Sequence, residues 1–326
     1  MTLSQDQDYM RIALNMARRG LGIVAPNPSV GCVIVKNDQI IARAHTARGG
    51  RPHAEVIALN ISGQNARGAS AYVTLEPCSH TGQTGPCAQS LIESGIRRVI
   101  IACTDPDPRV SGRGIAMLKE AGVDVIEGVM EAEAIALNAG FISRITQNRP
   151  FVTLKLGVSQ NNKIAAGAGE RTQISGPLSG RFMHLQRSRH DAILVGSETY
   201  LVDKPNLKAR IEGFDHDIKR YVLDRRGRIE SVEGFDILRH DNIADALCHI
   251  AEQGVTRLLV EGGAQLHEAF LIAWVVDEFQ LCITPKELPK NGVNGILRAQ
   301  ITAAGLKLQK TRHLGEDLLE IYTRSH

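Results

Sequence analysis

Pro52-His53-Ala54-Glu55-Val56, followed by Thr74-Leu75-Glu76-Pro77-Cys78 and then Pro86-Cys87, is the passage on which the reading of this chain turns. Zinc in catalytic sites takes three protein ligands from imidazole nitrogen and thiolate sulfur. It leaves the fourth tetrahedral position to water, whose pKa falls to about 7. His53, Cys78 and Cys87 supply such a set. Glu55 stands two residues beyond the first ligand, at the start of a helix, where its carboxylate can reach that water without ligating and carry a proton to a leaving amine. Taken singly, a buried Cys is a small inert hydrophobe and a His a satisfied polar residue. Together at this spacing they read as one metal site. A structural zinc site in a binding module is the non-enzymatic alternative, but such sites ordinarily recruit four protein ligands and only three are evident.

The elements around this passage alternate. An amphipathic helix over Ser4 to Arg19 is stopped by Ala25-Pro26-Asn27-Pro28. The apolar run Val30 to Val35 reads as a buried strand that turns at Asn37-Asp38 into Ile40-Ile41-Ala42. Beyond it, Ala54 to Leu59, Cys87 to Ser94 and Ile115 to Ala121 read as helices. Ala71 to Leu75, Val99 to Cys103 and Val123 to Ile126 read as strands. The first half is therefore an α/β sheet sandwiched by helices. After a polar connection, Arg144 to Pro150, the run Phe151 to Leu156 opens a second alternation, so the boundary is placed near residue 147. Its later strands are expected at Ala192 to Val195, Tyr221 to Leu223, Leu258 to Val260 and Glu278 to Ile283, with helices at 177–189, 243–253 and 264–273.

Bulk properties agree with two globular domains. The chain has 326 residues, against roughly 100–200 per domain. The charge of +3 is too small and dispersed to signal a polyanion, and aromatics at 4% leave little for base stacking, so neither a nucleic-acid nor a membrane partner is expected. The six cysteines lack the density of a disulfide scaffold and the acidic N-terminus lacks the form of a signal peptide, so a cytoplasmic location is expected. A closed homo-oligomer is the expected assembly, since such assemblies are common.

Eight residues separate Cys78 from Cys87, where nucleic-acid and free cytidine deaminases usually show two. Here the chain resembles the bifunctional riboflavin-biosynthesis deaminase/reductase family. The likeness rests on Ala25-Pro26-Asn27-Pro28-Ser29-Val30-Gly31, the passage quoted above, Ser79-His80-Thr81-Gly82, and Asp105-Pro106-Asp107-Pro108-Arg109-Val110-Ser111-Gly112-Arg113-Gly114. It implies a cytidine-deaminase-like α/β/α sandwich over residues 1–146. The reaction implied is loss of the 2-amino group from 2,5-diamino-6-(5-phosphoribosylamino)pyrimidin-4-one, with His53, Cys78 and Cys87 as zinc ligands and Glu55 as proton shuttle. Asn27 would face the pyrimidine edge, with His45 or His80 lining the same pocket; all three also suit ordinary turns and loops. Gly112 and Gly114 form no dinucleotide fingerprint, because Met117 stands where the third glycine would be; a tight turn before the helix is their expected role.

No GxGxxG occurs after residue 150. Leu258-Leu259-Val260-Glu261-Gly262-Gly263-Ala264, an apolar strand entering paired glycines and a helix, offers backbone N–H groups and a helix dipole to a pyrophosphate, but is also an ordinary tight connection. The reductase half of the same family, similar to dihydrofolate reductase in fold, matches here between about 150 and 285. The motifs include Leu154-Lys155-Leu156, Lys163-Ile164-Ala165, Ile174-Ser175-Gly176-Pro177 and Val260-Glu261-Gly262-Gly263. This implies an α/β domain over 147–326 that uses NADPH to open the ribose to ribityl. Gly157, Gln173, Thr199, Asp203, Arg225, Gly263 and Ala264 would face NADPH. Arg171, Arg187, Leu207, Arg210 and Glu261 would face the phosphosugar. The chain departs from the family's usual residues at Asn161-Asn162, Arg171, Gln173 and Lys204, and Arg171 and Lys204 add positive charge near the phosphate-bearing ligands. A working reductase and one weakened or lost both stay open. A nucleoside or tRNA base deaminase with a non-catalytic C-terminal domain is the other alternative; the thiol spacing, low charge and few aromatics weigh against it.

Overall fold

The computed structural model describes residues 3–80, 85–108, 111–213 and 217–324; the motif residues Thr81, Gly82, Arg109 and Val110 lie outside these. The chain divides into two compact units, Met1–Asn148 and Arg149–His326.

The first unit contains α1 (Leu3–Ala17), β1 (Gly31–Lys36), β2 (Gln39–His45), α2 (Ala54–Ser62), β3 (Ser70–Val73), α3 (Cys87–Glu93), β4 (Arg98–Ile101), α4 (Arg113–Glu120), β5 (Asp124–Ile126), α5 (Glu131–Leu137) and α6 (Ala139–Gln147). The strands order as β2-β1-β3-β4-β5, with β1 antiparallel to both neighbours and β3, β4 and β5 parallel. Residues Gly31 to Val35 are all buried, so both faces of β1 are covered. On one face α1 lies so close that a Cβ at Gly31 would stand 1.9 Å from the carbonyl oxygen of Ala13. Successive strand residues point to opposite faces, and Cys32 accordingly looks toward Glu55 on α2, whose charge helps push the buried thiol upward after burial itself. The segment expected as a polar connection from Arg144 is instead helical through Gln147, with Asn148 closing α6 in the left-handed region at φ 52°. Half-buried Phe141 packs against the core from this helix, which explains why its polar end still folds.

The second unit contains β6 (Phe151–Val158), β7 (Lys163–Ala165), α7 (Pro177–Ser188), β8 (Ala192–Gly196), α8 (Ser197–Asp203), β9 (Lys219–Leu223), β10 (Asp236–Leu238), α9 (Ile243–Glu252), β11 (Arg257–Glu261), α10 (Ala264–Ile272), β12 (Glu278–Ile283), β13 (Val293–Asn294), α11 (Arg298–Ala303), β14 (Leu306–Leu314) and β15 (Asp317–Arg324). The main sheet runs β10-β9-β8-β11-β6-β12-β15-β14. Its strands are parallel from β10 to β12, then antiparallel through β15 and β14. Alternate residues feed two cores: Ala192 and Leu194 pack with Val152 and Leu154, while Ile193 and Val195 pack with Val222 and Leu259. The resemblance is expected to run only to about 285, yet the chain beyond that point completes the sheet. Asp317 of β15 is 2% exposed and its Oδ2 accepts the backbone N–H of Gly176 at 2.8 Å, pinning the start of α7.

Candidate functional sites

In the first unit, His53 is the N-cap residue of α2 and Cys87 the first residue of α3, so two helix starts bring the candidate ligands together. His53 Nδ1 lies 3.2 Å from Cys87 Sγ and 3.7 Å from Cys78 Sγ, and the three donor atoms fall within 4.8 Å of one another. The Cys87 backbone N–H donates to Cys78 Sγ at 3.3 Å. One nitrogen and two sulfurs at this separation fit a zinc ion. Hydrogen bonding from Cys87, and then from His53, pulls the Cys78 thiol down to about 4; the same bond to Cys78 raises Cys87. Hydrogen bonding to Cys78 raises His53 in turn.

Glu55, 3% exposed, follows on the first turn of α2. Burial pushes its carboxyl up to about 7, and its Oε2 has no hydrogen-bond partner among the described residues. A desolvated carboxyl beside the donor set, able to hold or release a proton near neutral pH, is what a proton shuttle requires.

Asn27 packs its side chain against the loop that leads to His53: a Cβ at Gly50 would stand 1.9 Å from Asn27 Nδ2. His45 Nδ1 lies 2.8 Å from Thr46 O, and His80 is exposed. Gly112, at φ 75°, does turn the chain into α4, but Gly114 serves a different need than expected. Its missing side chain admits the carbonyl of Pro77, which a Cβ would approach to 2.0 Å. Glu76 was given no role by its sequence. Its buried carboxylate accepts backbone N–H groups from Asp105, Gly112, Gly114 and Ile115 at 2.9–3.3 Å, fixing these residues against the ones that precede Cys78.

In the second unit, a cleft of about 1230 Å³ opens at the carboxyl ends of β6, β8, β9 and β11, where parallel sheets bind ligands. Gly157, Gln173, Thr199, Asp203, Arg225, Gly263 and Ala264 line it, as do Arg171, Arg187, Leu207, Arg210 and Glu261. Gly263 caps α10 with extended backbone and no side chain over the helix end; a Cβ there would meet nothing within 4 Å, which leaves room for a dinucleotide's phosphates. Lys204 is a correction. It closes α8 at φ 40°, exposed, between the lining residues Asp203 and Pro205 but not itself part of the cleft wall, so any charge it adds acts from the rim.

Arg187 binds Glu261 through two bonds of 2.7 Å, from Nε to Oε1 and from Nη2 to Oε2. Against the cost of burial, this pairing and then Lys155 hold the Glu261 carboxyl below its usual range. Lys155 and His184 also line the cleft and were assigned no role from sequence. Lys155 was legible as a lone cation in an apolar strand. His184, half-exposed on an amphipathic helix, was not.

Comparison with known proteins divides the chain at the same place. Residues 3–103 match the cytidine and deoxycytidylate deaminase zinc-binding region, and residues 150–319 match the RibD C-terminal domain. The chain is 36% identical to riboflavin biosynthesis protein RibD of Escherichia coli over 96% of its own length and 98% of that protein. It is 35% identical to the RibD of Aquifex aeolicus over 98% of each. Among solved structures, it superposes on Acinetobacter baumannii RibD with a TM-score of 0.90 at 33% identity, covering 100% of both chains. A Thermotoga maritima diaminohydroxyphosphoribosylaminopyrimidine deaminase/5-amino-6-(5-phosphoribosylamino)uracil reductase gives 0.89 at 30% identity, again over 100% of both.

Proposed function

The chain belongs to the RibD family of riboflavin-biosynthesis proteins, and from that premise we propose that residues 1–146 form its zinc-dependent pyrimidine deaminase and residues 147–326 its NADPH-dependent reductase. It is a bifunctional enzyme, a hydrolase acting on a pyrimidine and an oxidoreductase.

For the deaminase, His53 Nδ1 and the sulfurs of Cys78 and Cys87 would hold zinc, which as a Lewis acid makes water nucleophilic near neutral pH. The observation that carries the assignment is Glu55 Oε2, which lies beside that donor set with no hydrogen-bond partner among the described residues. Glu55 takes the attacking water's proton at Oε2 and returns it to the departing amino group, so water is consumed and ammonia leaves. Asn27, with His45 or His80, orients the ring of 2,5-diamino-6-(5-phosphoribosylamino)pyrimidin-4-one.

For the reductase, NADPH when bound would supply hydride to carbon 1 of the ribose in its ring-opened imine form, in which the ring oxygen has left carbon 1 as a hydroxyl. A proton from water goes to the imine nitrogen, giving the ribityl chain and NADP+. Gly157, Gln173, Thr199, Asp203, Arg225, Gly263 and Ala264 bind the dinucleotide. Arg171, Arg187, Leu207, Arg210 and Glu261 hold the phosphosugar; Arg171 and Arg210 can offer planar forks to phosphate oxygens in pairs, whereas the fork of Arg187 is held by Glu261 and its charge alone faces the anion. The twelve residues' common place in one cleft, with the Arg187–Glu261 pair built, favours a working reductase over a lost one. A cytoplasmic location and a homo-oligomer belong to the same proposal. All six cysteines are free, as a reducing compartment keeps them, and no helix of the described residues is long and apolar enough to cross a membrane.

Incubation with the diaminopyrimidine substrate, with and without NADPH, tests both assignments. Ammonia release should not need NADPH, and NADPH oxidation should follow it. Ammonia without NADPH oxidation would overturn the reductase assignment.

A further inference from the structure

α7 reaches the segment 207–210 through two side chains one turn apart. Arg187 Nη1 donates to Lys208 O at 3.3 Å while its Nε and Nη2 hold Glu261. His184 meets Arg210 twice: the backbone N–H of Arg210 points at Nδ1 at 3.2 Å and its Nε–H at Nε2 at 3.2 Å. A neutral imidazole has one acceptor nitrogen, so it takes one of these donors at a time; an imidazolium takes neither. Neither bond uses the two Nη groups of Arg210, which keep the fork that suits a phosphate.

We propose that His184 is a positioning residue for the reductase: its neutral ring tethers Arg210 to α7, so that the anionic end of the phosphosugar meets an arginine pair already in place. This rests on the reading that Arg187 and Arg210 face that phosphate. The charged groups around the ring are Arg187 from its own helix, Arg210 from the facing segment and Glu261 from β11. Burial, and then the two arginines, hold His184 below its ordinary titration range, which keeps the ring an acceptor at neutral pH. A hydrogen bond from the ring to the Lys208 backbone pulls the other way and would survive protonation; protonation would still put a third cation beside the two arginines and release Arg210 from the ring.

The test uses the full chain with His184→Leu, which has no acceptor, and His184→Gln, which has one that does not titrate. Binding of 5-amino-6-(5-phosphoribosylamino)uracil is measured by calorimetry without NADPH, and NADPH oxidation is followed between about pH 5.5 and 8. His184→Leu should weaken substrate binding and raise its KM about tenfold, as expected for one lost hydrogen bond to a charged group, with the KM for NADPH unchanged. His184→Gln should bind within about threefold of the native chain and show a shallower acid limb in kcat/KM, because the tether no longer titrates. Native-like binding by His184→Leu, while Arg210→Leu binds poorly, overturns the role of His184. Native-like binding by Arg210→Leu overturns the underlying reading instead. If His184→Leu fails to fold, an acid limb in His184→Gln identical to the native one overturns the proposal.

Discussion

Glu76 Oε1 accepts the backbone N–H of Gly114 at 2.9 Å, joining the residue two places before the proposed zinc ligand Cys78 to the first turn of α4. Its other oxygen takes the N–H of Gly112 at 3.0 Å. Replacing it by Ala strands several buried donors, and a loss of about 2–3 kcal/mol in urea unfolding is expected. Groups that orient metal ligands tune affinity about 10- to 100-fold. Zinc should therefore pass more readily from Glu76→Ala to a chromophoric chelator than from the native chain.

Glu55→Gln keeps the volume of the side chain and removes its ability to take a proton. Deamination should fall by about 10²–10⁴-fold, the usual contribution of general acid–base catalysis. Zinc content by metal analysis and NADPH oxidation with deaminated substrate should stay native. Undiminished ammonia release would exclude the shuttle.

Glu261→Gln breaks a two-bond ion pair whose side chains are each 15% exposed. Arg187 would be left half-paired, and NADPH oxidation should drop at least tenfold while ammonia release is untouched. Parallel loss of both activities would mean that the substitution acts through global unfolding.

His190 sets a pH dependence for the second unit. It is 3% exposed, with Nδ1 at 2.7 Å from Gln186 O and Nε2 at 3.1 Å from Thr153 Oγ1, and burial pushes it down to about 4. An unfolded histidine titrates near 6.5. Because the folded value is depressed, this contribution to stability is fully present above pH 6.5 and is lost as the pH falls toward 4. The span corresponds to at most about 3 kcal/mol. Urea midpoints should decline less over that window in His190→Gln than in the native chain; equal slopes would show that other groups account for the decline.

That His53, Cys78 and Cys87 come together was readable because their signals are contiguous: a His two residues before a Glu, and a Pro-Cys pair. Glu76 lay beside them and stayed silent, since its partners are 29 to 39 residues away and offer only backbone. The alternating core strands were readable from their apolar runs. β14 was not, because as an exposed edge strand nearly every residue meets solvent and no period of two develops. α6 was mistaken at its polar end because its buried contacts come from earlier turns. The cleft residues came from resemblance, not from periodicity. Lys204, a departure from the family pattern, stays out of the cleft wall although Asp203 beside it lines the cleft.

The bond from Asp317 to Gly176 spans 141 residues, and it has a consequence for the order in which the protein matures on the ribosome. Everything that builds the zinc site lies before residue 148, whereas the start of α7 is secured only after β15 has been made. Chains emerge at about 5–20 residues per second and domains fold from the N-terminus first. The fold of the first unit can therefore be complete several seconds before that of the second, so synthesis completes the two halves in the order in which the substrate would meet them.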